Sequence, residues 1–338
     1  MLNLIAGEIV EVLSAAEILN TLTADGTLEA LPFMPEMLQF GGMRIRVHRR
    51  ADKTCDTIEK TGARRMKHTV HLEGLRCNGE AHGGCQAGCL LFWKEEWLRR
   101  PQGSGPPTKS LPAAAVTGSP PDRLMALTRA TMPGSPGKER FVCQATELFK
   151  ATSPLAWWDV RQHIRDLRSG NVQPSEFVRG ILVRSAMNTL AKIQHLPGTY
   201  RVLRLVRSLG RGLWQVPHIQ GCVQAGPTPN ATLNLKPGDR VRVKSPEQIA
   251  RTLDRNNKNR GLWFDVEMLK YCGREFTVLR RVARMINEKT GEMMTLPNDC
   301  MVLDEVTCCA HFAERRLFCP RGMYPYWREV WLERVEPI

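Results

Sequence analysis

The chain has 338 residues, of which 42% are apolar and 24% are charged. This composition is that of a globular protein of two or three domains, and it excludes a fully disordered or collagen-like chain. No run of about 18 apolar residues is present and the first residues lack a signal-peptide pattern, so no membrane span or secretion is predicted. We therefore expect a soluble, cytoplasmic protein.

The chain has eleven cysteines and a net charge of +14, and both features limit the functions that it can be expected to have. Disulfides are rare in a reducing compartment, so clustered cysteines indicate metal or redox chemistry. The positive charge is concentrated in residues 101–230, which hold 16 basic and 6 acidic side chains. Such a segment favours nucleic acid or an acidic protein as a partner, unless it is only a solvated surface.

The chain contains an internal duplication. Residues 7–50 align with residues 238–281 without a gap, and 16 of the 44 positions are identical. The sequence therefore predicts two copies of one domain around a different middle piece. The identical pairs include Val10 with Val241, Ser14 with Ser245, Thr21 with Thr252, Phe33 with Phe264, Glu36 with Glu267 and Arg50 with Arg281.

The strongest chemical signal lies in the first copy, where Cys77, His82, Cys85 and Cys89 fall within thirteen residues with four glycines between them. Zinc takes Cys and His ligands in a tetrahedron, and iron–sulfur clusters take cysteine thiolates. Glycines allow the backbone to fold tightly around a metal. We predict a zinc or iron–sulfur site at these four residues; the alternative is a glycine-rich turn with inert, buried thiols.

Two cysteines of the second copy, Cys308 and Cys319, align with Cys77 and Cys89 and are added to the predicted metal ligands. Either the first copy builds a complete site alone, or the two copies share one site. The first arrangement is favoured because four ligands in one loop need no long-range closure. The cysteines that stand alone in the sequence are expected to lie in the core: Cys55, Cys143, Cys222, Cys272 and Cys300.

Two further sets of residues recur in both copies. The tryptophans Trp93, Trp97, Trp327 and Trp331 are expected to pack in the core, or else to form a platform on which a base or sugar stacks. The arginines Arg49, Arg50, Arg280 and Arg281 are predicted to contact nucleic-acid phosphates, with a solvated basic face as the alternative.

The middle of the chain differs from both copies. Residues 101–139 are rich in Pro, Gly, Ser, Thr and Ala, which predicts a linker. Helices are predicted at 141–150, 154–168 and 174–195, followed by a short basic segment at 200–209. We expect residues 140–230 to form a basic helical domain.

The second copy indicates the expected fold of the repeat. Val241 and Val243 alternate with arginines as in a half-buried strand, and Ser245 before Pro246 is a helix start. A strand at 276–282 and a hairpin at 285–294 follow. The opening residues Gly-Asp-Arg-Val-Arg-Val, at 238–243, resemble the first strand of SH3-like barrels, and the resemblance implies a small barrel.

The Cys-rich loop followed by Trp-Lys-Glu-Glu-Trp also resembles a bacterial family of uncharacterised proteins, and this resemblance implies no activity. We expect an α+β protein with two duplicated SH3-like β-barrels, at residues 1–100 and 231–338, around a helical insert. The predicted function is that of an intracellular, metal-binding module for nucleic acid or a protein partner. The alternative is an iron–sulfur or other metal-dependent enzyme of small-molecule or specialised metabolism.

Overall fold

The computed structural model describes residues 1–102, 122–132, 134, 137–193, 218–312 and 315–335. Residues 103–121 of the predicted linker and the whole predicted basic segment at 200–209 lie outside the described residues. The chain divides into two compact units. The first comprises Met1–Asn171, Val282–Pro297 and Cys319–Tyr324, and the second comprises Val172–Arg281, Asn298–Phe318 and Pro325–Ile338.

The first unit is built around a curled half-barrel of five strands. The strands of the whole unit, in chain order, are β1 (Ile9–Val12), β2 (Thr27–Leu28), β3 (Leu31–Pro32), β4 (Arg44–Arg50), β5 (Lys53–Cys55), β6 (Ala63–Arg65), β7 (Thr69–Arg76), β8 (Leu90–Lys94), β9 (Leu98–Arg99), β10 (Arg129–Thr131), β11 (Glu139–Phe141) and β12 (Ser153–Leu155). The half-barrel has the order β8-β7-β4-β1-β9, and β12, β6 and β5 form a smaller sheet. The α-helices are α1 (Ala15–Leu19), α2 (Asp122–Leu127) and α3 (Arg161–Arg168), and 3-10 helices occupy Pro35–Phe40, Glu80–His82 and Glu95–Trp97.

The second unit repeats this plan with a four-stranded half-barrel in the order β17-β16-β13-β18. Its strands are β13 (Arg240–Val243), β14 (Lys258–Asn259), β15 (Leu262–Trp263), β16 (Glu275–Ile286), β17 (Met293–Leu303) and β18 (Leu332–Arg334). The helices are α4 (Pro174–Ile193) and α5 (Pro246–Ala250), with 3-10 helices at Val266–Tyr271 and Glu329–Trp331. The ends of β16 and β17 that face their connecting turn belong to the first unit. The protein is thus a mixed α+β fold with two half-barrels and few helices.

Strand register shows that the duplication is structural. Val10 of β1 lies opposite Ile45 of β4, and Val241 of β13 lies opposite Phe276 of β16, so both partners are equivalent positions in the alignment of the two copies. The helix after the first strand also recurs: Ser14 and Ser245 cap α1 and α5, each in a capping box. The predicted strand and helix start at 241–246 are confirmed.

Each copy has the same aromatic core. Phe33 packs edge-on against Trp93 and Trp97 in the first copy, and Phe264 packs in the same way against Trp327 and Trp331 in the second. All four tryptophans are fully buried. The expectation of core packing is confirmed, and an exposed stacking platform at these tryptophans is wrong.

A hydrogen bond common to both copies orients one tryptophan of each core. The indole Nε1 of Trp97 donates to Thr21 Oγ1 at 3.1 Å, and the indole Nε1 of Trp331 donates to Thr252 Oγ1 at 2.9 Å. The identity of these threonines in the two copies therefore has a direct structural reason, because a buried N–H needs an acceptor.

The middle segment is less helical than predicted. Residues 144–151 form turns instead of the helix predicted at 141–150, and the side chain of Gln144 bonds to the backbone N–H and C=O of Phe92 and to the C=O of Pro32. Pro154 belongs to β12, so the helix predicted at 154–168 is confirmed only as α3. The third predicted helix, at 174–195, is confirmed as α4 over Pro174–Ile193, and residues 194–195 lie outside the described residues. In the described part of the chain, no helix is long and apolar enough to cross a membrane.

A buried ion pair ties the N-terminal segment of the first copy to its half-barrel. Arg50 Nη1 of β4 lies 2.7 Å from Glu95 Oε1, and the Glu95 side chain is only 2% exposed. The same carboxylate accepts hydrogen bonds from the backbone N–H groups of residues 2–4. We call this arrangement the arginine–glutamate clamp.

The second copy repeats the clamp. Arg281 Nη2 lies 2.8 Å from Glu329 Oε1, and Glu329 accepts hydrogen bonds from the backbone N–H groups of Leu233 and Leu235. The clamp gives Arg50 and Arg281 a structural role in each copy. The predicted contact of these arginines with nucleic acid stays a prediction.

Replacing Glu95 by alanine is expected to lower the free energy of unfolding by at least about 1–3 kcal/mol, because the N–H groups of residues 2–4 would lose their acceptor and Arg50 would keep only Asp52 as a counter-charge. Glu73→Ala is the matched control, since Glu73 forms a 3.6 Å ion pair with Arg46 in which both side chains are about half exposed. The control is expected to change stability by less than about 0.5 kcal/mol. Urea denaturation followed by tryptophan fluorescence measures both changes, and equal losses would contradict the clamp.

Candidate metal centre

The predicted metal loop, residues 77–89, connects β7 to β8. Its base is closed by a hydrogen bond of 2.8 Å from the N–H of Cys77 to the C=O of Cys89. Gly79 adopts a left-handed conformation with φ of 80°, and a Cβ atom at this position would lie 2.0 Å from the carbonyl oxygen of Cys85. Only glycine therefore allows the loop to fold back so tightly.

A carboxylate, a thiol and an imidazole meet at the start of this loop. Cys77 Sγ lies 3.2 Å from His82 Nε2, and Glu36 projects to them from the 3-10 helix Pro35–Phe40. One potential ligand atom of each residue lies within 4.8 Å of those of the other two. Among the described residues this is the one group of three or more Cys, His, Asp or Glu side chains with that spacing. We call it the Glu36–Cys77–His82 triad.

The triad contains buried polar atoms without a partner at full hydrogen-bond geometry in the described part of the chain. They are both carboxylate oxygens of Glu36 and the Nδ1 atom of His82, although the nearby Cys77 thiol and a backbone N–H oppose part of the effect of burial on the pKa of Glu36. Glu36 is 8% exposed and His82 is 1% exposed. Each such atom costs about 1–3 kcal/mol. A bound cation would satisfy the oxygens, so the donor set fits a metal, and carboxylate, thiolate and imidazole are all zinc ligands.

Burial disfavours the charged forms of all three groups of the triad. It raises the pKa of the Glu36 carboxyl and of the Cys77 thiol, and it lowers the pKa of the His82 imidazole to about 4. A metal reverses the first two effects, because its charge favours carboxylate and thiolate. Metal binding therefore displaces protons from this site.

The structure brings all four predicted loop ligands to one cavity. Cys77, His82, Cys85 and Cys89 line it, and a fifth residue with a donor atom, Cys143, reaches it from the turn after β11. Cys85 accepts a hydrogen bond of 3.4 Å from the N–H of Ile286, which also lines the cavity. The cavity therefore brings further thiols to the side of Cys77 and His82.

Sequence reasoning missed two residues of this site. Glu36 belongs to the identical pairs of the duplication, and its pairing with Glu267 was a signal that could have found it, because an acid preserved among apolar matches needs a chemical reason. Cys143 stands far beyond Cys89 in the sequence, on the other side of the predicted linker. Nothing in its local sequence indicates that it shares a cavity with the loop.

In the second copy, the equivalent carboxylate accepts hydrogen bonds from backbone N–H groups of a nearby loop. Glu267 accepts hydrogen bonds from the N–H groups of Cys309, Ala310 and Phe312 at 3.0–3.2 Å. Its Oε2 atom also lies 3.4 Å from the thiol of the predicted ligand Cys308. The second copy therefore keeps the contact between glutamate and cysteine but uses it to hold a loop.

The other predicted ligand of the second copy belongs to the first unit. Cys319 Sγ accepts a hydrogen bond of 3.1 Å from the N–H of Cys55. Arg321, which follows closely in the chain, is buried, lies 2.7 Å from Glu288 and donates to Thr57 Oγ1 at 2.9 Å. Arg321 and Glu288 line the same cavity as the metal loop, and Cys319 is not among the cavity-lining residues described.

Comparison with known proteins adds no name to this site. No protein-family model and no curated protein matches the chain.

The affinity of the metal-free protein for cobalt(II) is expected to rise about tenfold per pH unit for each thiol proton that binding displaces. The reason is that the Cys77 thiol is protonated at neutral pH, and the metal binds the thiolate. Titrations between about pH 7 and 8.5, followed by the cobalt–thiolate absorption, measure this slope.

The variant Cys77→His serves as the control, because its ligand needs no deprotonation at neutral pH. It is expected to bind cobalt with a shallower pH dependence. A wild-type affinity that does not change with pH would show that Cys77 is no ligand.

Proposed function

We propose that the protein is a metal-binding module of two SH3-like barrels, and that the first copy holds the metal in the cavity beneath residues 77–89. The observation that carries this proposal is the Glu36–Cys77–His82 triad, whose buried carboxylate oxygens have no partner at full hydrogen-bond geometry in the described part of the chain. The bound species is zinc or an iron–sulfur cluster, since both take ligands of these types. The eleven cysteines, all free, support a reducing, cytoplasmic location.

The proposed partner of the module is single-stranded nucleic acid. Trp157 and Trp158 are 67% and 69% exposed, whereas the core tryptophans are buried. They precede α3, which carries exposed arginines at 165 and 168. Adjacent aromatic rings beside cations are the combination on which unpaired bases stack while phosphates are neutralised. The net charge of +14 agrees with this partner.

A metal-dependent enzyme is the second candidate. The triad supplies three protein ligands, and catalytic zinc sites have three protein ligands and keep one position for water or substrate. The cavity beside the triad is lined by apolar side chains as well as thiols. A metal ion at the triad would have such an open position, whereas the equivalent glutamate of the second copy is bound by backbone N–H groups. The first copy would therefore be the catalytic one.

Protein purified without added metal is expected to contain a stoichiometric transition metal, and Cys77→Ala is expected to lose it, because Cys77 is central to every ligand set considered. Cys222→Ala is the matched control, since Cys222 is exposed and lies outside the cavity. Elemental analysis of the folded variants measures the metal. Metal-free wild-type protein that also fails to take up zinc or iron would refute the proposed function.

Single-stranded DNA is expected to bind with an affinity that falls as salt rises, and Trp157→Ala/Trp158→Ala is expected to weaken it at least tenfold, because stacking contributes about 1–3 kcal/mol per base. Trp263→Ala is the control, because Trp263 is another exposed tryptophan, at 49%. Fluorescence anisotropy at several salt concentrations measures both effects. If the double variant and the Trp263→Ala control bind the DNA with equal affinity, Trp157 and Trp158 do not form the binding surface.

A further inference from the structure

The cavity holds more thiols than one metal ion at the triad requires. The thiol-bearing residues that line it are Cys77, Cys85, Cys89 and Cys143. Three of them come from the loop and one comes from a segment distant in sequence. Most of the remaining wall is apolar, with Met34, Leu90, Phe92 and Ile286 among its members. Four convergent thiols in an apolar cavity form the ligand set of an iron–sulfur cluster.

The four thiols do not have the spacing that one tetrahedral ion bound by thiolates alone requires. Tetrahedral zinc with sulfurs at about 2.3 Å requires neighbouring sulfurs to lie about 3.8 Å apart. Among the described residues, no three of these sulfurs lie within 4.8 Å of one another. A cluster separates its ligands further than one ion does.

Hydrogen bonding around the cavity also suits a cluster. The cavity wall carries one buried ion pair, between Arg321 and Glu288, whose charges offset each other. The backbone N–H of Ile286 already donates to Cys85 Sγ. Hydrogen bonds to ligand sulfurs are among the features that set the potential of such clusters.

We propose that the cavity binds an iron–sulfur cluster through the thiolates of Cys77, Cys85, Cys89 and Cys143. This inference rests on the proposed function and deepens it, because it names the class of cofactor and assigns a ligand outside the loop. His82 and Glu36 then act beside the cluster: His82 Nε2, 3.2 Å from Cys77 Sγ, donates a hydrogen bond to the thiolate. The contact between His82 and Cys77 is the hydrogen-bonded end of the cofactor site.

The test is purification of the full chain without oxygen, with iron, acid-labile sulfide and zinc measured per chain and the visible and electron paramagnetic resonance spectra recorded. We expect brown protein with iron and sulfide in equal amounts. Cys143→Ser and Cys85→Ser are each expected to lose most of both. Glu36→Gln is expected to retain them, because Glu36 is not a ligand of the cluster.

Cys222→Ser, at an exposed cysteine, is the matched control and should keep the full cluster. Circular dichroism of each variant shows whether it is folded, and iron and sulfide in wild-type protein test the cluster even if a variant unfolds. Colourless wild-type protein with one zinc per chain, lost in Glu36→Gln and kept in Cys143→Ser, would overturn the cluster and leave the proposed function standing. Protein that takes up neither zinc nor iron would overturn both.

Discussion

Each copy of the repeated domain depends on one carboxylate that joins three parts of its chain. In the first copy, Glu95 binds the guanidinium of Arg50 on β4 and the backbone N–H groups of residues 2–4. Glu95 also begins the 3-10 helix that contains Trp97. The clamp therefore fixes the N-terminal segment, a central strand and the aromatic core together. The half-barrel held in this way supplies β7 and β8, which carry the metal loop between their ends.

The two copies have diverged in the use of one glutamate. Glu36 and Glu267 occupy equivalent positions in equivalent 3-10 helices, and each approaches a cysteine. In the second copy, backbone N–H groups surround the carboxylate, so the charge is satisfied and the site is closed. In the first copy, the glycine-rich loop at 77–89 leaves the carboxylate without a partner at full hydrogen-bond geometry among the described residues. The two copies thus share a scaffold, and the equivalent carboxylates differ in their surroundings.

Local patterns in the sequence predicted the parts of the fold that local physics determines. The alternating valines at 241 and 243, the Ser245 cap and the gapless alignment of the two copies were sufficient for the first strand, the following helix and the repeat. The turns at 144–151 could not be predicted, because Gln144 is held by the distant residues Phe92 and Pro32. Residues near in sequence identified the metal loop, whereas Glu36 and Cys143 reach it only through the tertiary fold.

The ends of β16 and β17 that belong to the first unit have a consequence for biosynthesis. The first unit needs residues 282–297 and 319–324, so its contacts can be completed only after most of the chain has left the ribosome. Until then, Cys85 lacks the N–H group of Ile286 and the thiol cavity lacks Arg321. A nascent chain therefore leaves the thiols of this cavity uncovered for most of translation, and the cavity closes only late.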